Sequence, residues 1–132
     1  MITVLFACVH NAGRSQMAAA LFNQTADPTR ARAISAGTDP GTRVQPEVVH
    51  VMTEVGIDLT CSAPQRISDD MARQAQWLIT MGCGDRCPFV PGACVEDWPL
   101  PDPNGRSIHE VRIIRDEISR RVAALIDREA WR

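Results

Sequence analysis

The stretch Ile2-Thr3-Val4-Leu5-Phe6-Ala7-Cys8-Val9-His10-Asn11-Ala12-Gly13-Arg14-Ser15 decides the fold. Its first seven residues form an apolar run with branched side chains, the pattern of a strand covered on both faces, and such strands belong to parallel sheets. A turn over Val9 to Gly13 follows. Ser15 to Phe22 is then rich in Ala, Met and Leu, all good helix formers, and Asp27-Pro28 closes that helix.

Working outward, Ala31 to Ala36 reads as a second strand ending at Gly37. Pro46 to Val55 reads as a helix, with Val48, Val51, Met52 and Val55 on one face, Pro46 at its start and Gly56 at its end. Ser68 to Gln74 offers a short third helix. Trp77 to Met81 reads as another buried strand, and Val95 to Trp98 as a last short one. Ser107-Ile108-His109-Glu110 is a capping-box pattern, opening a helix whose Ile108, Val111, Ile114, Ile118, Val122 and Leu125 share one apolar face. Alternation of this kind implies an α/β domain, a four-stranded parallel sheet with helices on both faces, extending over residues 1–132 as one unit. Arg112, Arg115, Arg120 and Arg121 read as the solvated face of the last helix.

Composition narrows the functional classes. Fourteen basic residues stand against 16 acidic ones and the basic residues are scattered, so no footprint for nucleic acid is expected. Ile2 to Val9 is too short to span a bilayer and lacks a basic leader, so neither a membrane nor secretion is expected, and the reading is cytoplasmic. Five cysteines are many for 132 residues, yet the number is odd, which points to redox chemistry or metal binding over a structural disulfide framework.

The loop Cys8 to Ser15 carries the chemistry. Successive backbone N–H groups in a tight loop make an anion-binding concavity, and the helix N-terminus behind it adds about half a positive charge. Val9, His10, Asn11, Ala12, Gly13 and Arg14 are therefore the candidate oxyanion-binding residues. Gly13 permits unusual backbone angles, Asn11 tolerates them, and the Arg14 guanidinium can grip two oxygens at once. In that field Cys8 is expected to be largely thiolate, since a thiol with an ordinary pKa of about 8.5 falls to 3.5–7.5 in such settings, and Ser15 can donate to the sulfur. His10, His50 and His109 lack paired spacing and receive no catalytic role.

Two further cysteines, Cys83 and Cys87, follow the third strand at the edge of the sheet where Cys8 also ends. An oxidised nucleophile needs a second thiol in reach and a third to carry the disulfide outward. If residues 83–87 were helical, the two Cβ atoms would be about 5–6 Å apart, beyond the ~3.8 Å of a disulfide, so bond formation is expected to unwind that segment. A metal site built from Cys83, Cys87, Cys94 and a histidine is the rival reading. Cys61 and Cys94 otherwise read as small hydrophobes.

The Cys-x5-Arg-Ser loop near the N-terminus resembles the low-molecular-weight protein tyrosine phosphatase superfamily. The segments Met81-Gly-Cys-Gly-Asp-Arg-Cys-Pro88 and Asp97-Trp-Pro-Leu-Pro-Asp-Pro103 narrow the resemblance to its thioredoxin-linked arsenate reductases. That resemblance implies a catalytic set of Cys8, Arg14, Ser15, Cys83, Cys87 and Asp102. Cys8 attacks arsenate while Asp102 protonates the departing hydroxide, and Cys83 and Cys87 relay the disulfide to thioredoxin, with no cofactor and no metal. Phosphate and sulfate would compete for the loop, and a monomer is expected. A phosphatase acting on phosphotyrosine is the first alternative, although the chain has no tyrosine and Asn104 stands where those phosphatases carry aromatic residues. A non-catalytic thiol protein binding arsenite or zinc is the second.

Overall fold

In the computed structural model, which describes residues 1–83 and 90–132, four strands form one sheet. They are β1 (Ile2–Cys8), β2 (Ala31–Gly37), β3 (Trp77–Thr80) and β4 (Cys94–Asp97), in the order β2-β1-β3-β4. All three pairings are parallel, as the apolar run predicts. Register sets the strand ends level: Cys8 pairs with Gly37, Ala7 with Thr80, and Thr80 with Asp97. Whatever follows each strand therefore meets at one carboxyl edge.

The helices are α1 (Arg14–Thr25), α2 (Pro46–Thr53), α3 (Asp69–Gln74) and α4 (Ile108–Arg128). Alternation along β1 divides the core. Val4, Phe6 and Cys8 face a large cluster with Met17 and Phe22 of α1, Val48, Val51 and Met52 of α2, and the expected stripe of α4 from Val111 to Leu125. Leu5 and Ala7 face a smaller cluster with Ala36 and Leu78, over which α3 lays only half-buried Met71 and Ala72. Both faces carry helices, but unequally. The capping box of α4 forms as predicted: Ser107 Oγ accepts from the Glu110 N–H at 3.2 Å, and Glu110 Oε1 accepts from the Ser107 N–H at 3.4 Å.

Several boundaries and environments differ from expectation. α2 stops at Thr53 because the N–H groups of Val55 and Ile57 both turn back to the Met52 carbonyl, and Gly56 takes φ +82°. β4 begins one residue early, at Cys94, and Trp98 leaves the strand to pack 5.6 Å from the Phe6 ring. Cys61 and Cys94 are exposed free thiols, not small buried hydrophobes. Two of the arginines assigned to the solvated face of α4 also do something else. Arg115 is buried, donating from Nη1 to the Val51 carbonyl and to Glu54 Oε1, both at 2.8 Å. Arg112 donates from Nε and Nη2 to the Glu54 carboxylate. The end of α2 leaves carbonyls without intrahelical donors, and Arg115 supplies one.

Hydrogen bonds from Arg112 and Arg115 hold the Glu54 carboxyl down to about 2, against an ordinary value of 4.5. The bonded carboxylate therefore contributes its full share of stability above pH 4.5 and loses it progressively as pH falls towards 2. Urea unfolding from pH 7 to pH 2.5 is expected to show that acid-sensitive component in the wild type and to lack it in Glu54→Gln.

Candidate functional site

β1 delivers Cys8 to the carboxyl edge, where its side chain is 3% exposed at the floor of the loop. Five carbonyls along the loop are bonded away from it. Those of Cys8, Val9, His10 and Ala12 accept from the N–H groups of Thr38, Asp39, Gly41 and Gln45, at 2.8–3.2 Å, and the Gly13 carbonyl accepts from Met17. The segment after β2 thus holds the loop from outside. None of the described residues accepts from the amides of His10, Ala12 or Gly13, and the Arg14 and Ser15 amides open α1, where a helix leaves its first donors unpaired. The Asn11 N–H donates to Cys8 Sγ at 3.3 Å. Unpaired loop amides beside the sulfur, backed by a helix N-terminus, are an arrangement that can receive a tetrahedral oxyanion.

Asn11 is the residue at left-handed angles, φ +49°, and it is fully buried. Gly13, to which the sequence assigned unusual angles, takes φ −146° and ψ −91°, outside both the extended and the helical range. Its small size serves packing as well: a Cβ there would stand 2.7 Å from Pro103 Cγ and 3.3 Å from Gln45 Nε2. Glycine lets Pro103 close down on the loop, and Pro103 brings its neighbour Asp102.

Asn11 also spends its whole carboxamide. Nδ2 donates to Ser15 Oγ at 2.7 Å and to Ser35 Oγ at 3.0 Å, while Oδ1 accepts from Gln16 Nε2 at 3.2 Å and from the Gln65 N–H at 3.0 Å. Because Ser15 Oγ already receives a hydrogen from Asn11, its own hydroxyl hydrogen is free to point at Cys8 Sγ, 2.8 Å away. The predicted Ser15 contact is present, and two groups, the Ser15 hydroxyl and the Asn11 N–H, lie within hydrogen-bond reach of the sulfur.

Arg14 is 9% exposed and lies over the end of β3. Its Nη1 donates to the Leu100 carbonyl at 3.0 Å, and its Nη2 is 4.0 Å from Asp102 Oδ2. Gly82, at φ +96°, makes room for it, since a Cβ there would collide with Arg14 Nη1. Asp102 is half-exposed, with Oδ1 accepting from the Asn104 N–H at 3.0 Å, so a carboxyl stands at the rim beside the cation. His10 lies outside the cradle: its exposed ring donates from Nδ1 to the Asp39 carbonyl at 2.9 Å.

Cys8, Arg14, Ser15 and Asp102 are therefore together. Cys83 ends at the same edge, buried, with Sγ 3.7 Å from the Ala7 carbonyl, yet it packs with the smaller cluster on the α3 side of the sheet. Cys83 is disulfide-bonded. Cys87 lies outside the described residues, as does the expected unwinding of residues 83–87. Among the described residues no group of three or more His, Cys, Asp and Glu side chains is placed to hold a metal ion. Sequence reasoning did not find Gln16, Ser35, Gln65, Gly82 or the Leu100 carbonyl. Of these only Gly82, beside a cysteine at a strand end, left a local signal.

A cysteine under a ring of amides, backed by a helix N-terminus and faced by an arginine and an aspartate, defines a thiol enzyme for tetrahedral oxyanions. Residues 3–130 match the low molecular weight phosphotyrosine protein phosphatase family, and the chain belongs to that family. It is 38% identical to a putative arsenate reductase of Halobacterium salinarum, over 92% of this chain and 89% of that one. It is 35% identical to a glutaredoxin arsenate reductase of Synechocystis, over 96% and 97%. A solved structure of a thioredoxin-dependent arsenate reductase of Corynebacterium glutamicum superposes with a TM-score of 0.82 at 38% identity, covering 96% of this chain, which in turn spans 61% of that protein's chain.

Gly82→Ala should cost about 1–2 kcal/mol of stability through its positive φ. It should also push Arg14 off its seat and weaken phosphate binding by about tenfold or more, as loss of a hydrogen bond to a charged ligand would. Calorimetric titration with inorganic phosphate measures the second effect separately from the first.

Proposed function

We propose that this chain reduces arsenate to arsenite, through Cys8 and a relay of cysteines that ends on thioredoxin. The observation that carries the reading is Cys83, a second cysteine at the carboxyl edge where Cys8 ends, against the carbonyl of the residue before it. A phosphatase needs Cys8, Arg14 and Asp102 but has no use for Cys83. The relatives named as arsenate reductases, matched over nearly their whole length, support the same reading.

Arsenate binds in the cradle with its oxygens on the loop amides and the Arg14 guanidinium. The Cys8 sulfur attacks arsenic, and one oxygen leaves as water once Asp102 has supplied a proton. Arg14, 4.0 Å from that carboxyl, also offsets the charge of the oxyanion. The reduced Cys83 thiolate then attacks Cys8 Sγ. The S–S bond forms as the As–S bond breaks, its electron pair stays on arsenic, and arsenic(V) becomes arsenic(III) in arsenite. For that step Cys83 must swing from the α3-side cluster to the loop. Cys87 next attacks Cys83, which frees Cys8, and thioredoxin reduces the Cys83–Cys87 pair by the same exchange. Phosphate and sulfate compete for the cradle because they share its ligand's shape and charge. All residues of the site come from one chain, so a monomer suffices, and the expected compartment is the reducing cytoplasm, where thioredoxin works.

Arsenate turnover with thioredoxin, thioredoxin reductase and NADPH tests the proposal, with glutaredoxin and glutathione as the comparison. Cys83→Ser is expected to abolish turnover while hydrolysis of an aryl phosphate persists. Normal turnover by that variant would remove the relay. Asp102→Asn is expected to lower the arsenate rate by about 10²–10⁴-fold.

A further inference from the structure

We infer that Gln16 is a positioning residue for the nucleophile, acting through the Asn11 carboxamide and the Ser15 hydroxyl to keep a hydrogen on Cys8 Sγ. The inference rests on the reading of Cys8 as the nucleophile. Gln16 sits on the first turn of α1 and is 8% exposed, although glutamine on a helix is ordinarily solvated. Its Nε2 donates to Asn11 Oδ1 and to the Ala63 carbonyl, each at 3.2 Å.

A carboxamide has two nearly isosteric ends, so a buried asparagine is oriented only by what surrounds it. Around Asn11 the donors, Gln16 Nε2 and the Gln65 N–H, lie on one side, and the hydroxyl acceptors of Ser15 and Ser35 lie on the other. Gln16 thus helps fix which end of Asn11 faces Ser15. With Nδ2 there, Ser15 receives a hydrogen and is left free to donate its own to a Cys8 thiolate. With Oδ1 there, the Ser15 hydroxyl would donate to Asn11 and desert Cys8. Gln16 touches neither the sulfur nor any loop amide that would hold the oxyanion, so it acts on the thiol without forming part of the cradle.

The test is the rate of Cys8 alkylation by iodoacetamide at pH 7, read by peptide mass so that Cys61 and Cys94 do not interfere, together with binding of inorganic phosphate. Neither readout requires arsenate reduction, so failure here is distinct from failure of the proposed function. Gln16→Met, which keeps the size and loses the donor, is expected to slow alkylation by about tenfold, the worth of one hydrogen bond, while phosphate affinity changes by less than about twofold. Gln16→Glu, which places an acceptor against Asn11 Oδ1, should slow it at least as much. In a Ser15→Ala background the effect of Gln16→Met should vanish, because the hydroxyl through which it acts is gone. Wild-type alkylation in the folded Met variant, an undiminished effect without Ser15, or a parallel loss of phosphate binding would each overturn the inference. So would failure of Gln16→Met to fold, which would make the residue structural.

Discussion

A backbone that turns its N–H groups inward around one point must turn its carbonyls outward, and a buried carbonyl needs a donor. That constraint governs the arrangement of this protein. The loop after β1 can offer a ring of amides only because the segment after β2 supplies donors to the carbonyls of Cys8, Val9, His10 and Ala12. Parallel pairing makes the supply possible: β1 and β2 end side by side, with Cys8 opposite Gly37, so the chain leaving β2 runs directly along the outside of the loop. Gly37 is part of the same solution, since a Cβ there would lie 2.5 Å from the Val9 carbonyl.

The remaining parts of the site reach the loop through gaps left by glycine. At Gly13 the gap admits Pro103, and with it Asp102, while at Gly82 it admits the Arg14 guanidinium. Arg14 is nearly buried but is bonded to the Leu100 carbonyl and sits near Asp102, so its charge is partnered before any anion arrives. The region from Leu100 to Pro103 therefore supplies a carbonyl to the cation, a carboxyl to the rim and a ring to the loop.

The two faces of the sheet serve different ends. The face toward α1, α2 and α4 holds most of the buried apolar surface and anchors the helix whose N-terminus backs the loop. On the α3 face, a six-residue helix with no fully buried side chain covers a smaller cluster, and Cys83 packs there. Fewer buried contacts make local opening less costly. In the relay proposed above, the rigid face carries the nucleophile and the lighter face carries the thiol that must change partners.

The sequence by itself determined the strand–loop–helix unit, the parallel sheet, the capping box of α4 and the identity of Cys8, Arg14 and Ser15. Each depends on a local period, a turn residue or a spacing of a few positions, and local rules reach that far. Asp102 was legible only through a family resemblance, because an Asp-Pro pair in a turn looks the same whether or not an arginine stands above it. The tertiary structure decided the rest. It put the left-handed angles at Asn11 and gave Gly13 a packing role, and it took Arg115 from the solvated face of α4 to the carbonyl end of α2. It also placed Gln16 and Gln65 on Asn11, and Arg14 on Leu100. The Gln65 and Arg14 bonds join residues 54 and 86 positions apart. No periodic pattern encodes a polar contact at such separation. It exists because the sheet brings the ends of its strands to one edge, where buried donors and acceptors must find one another.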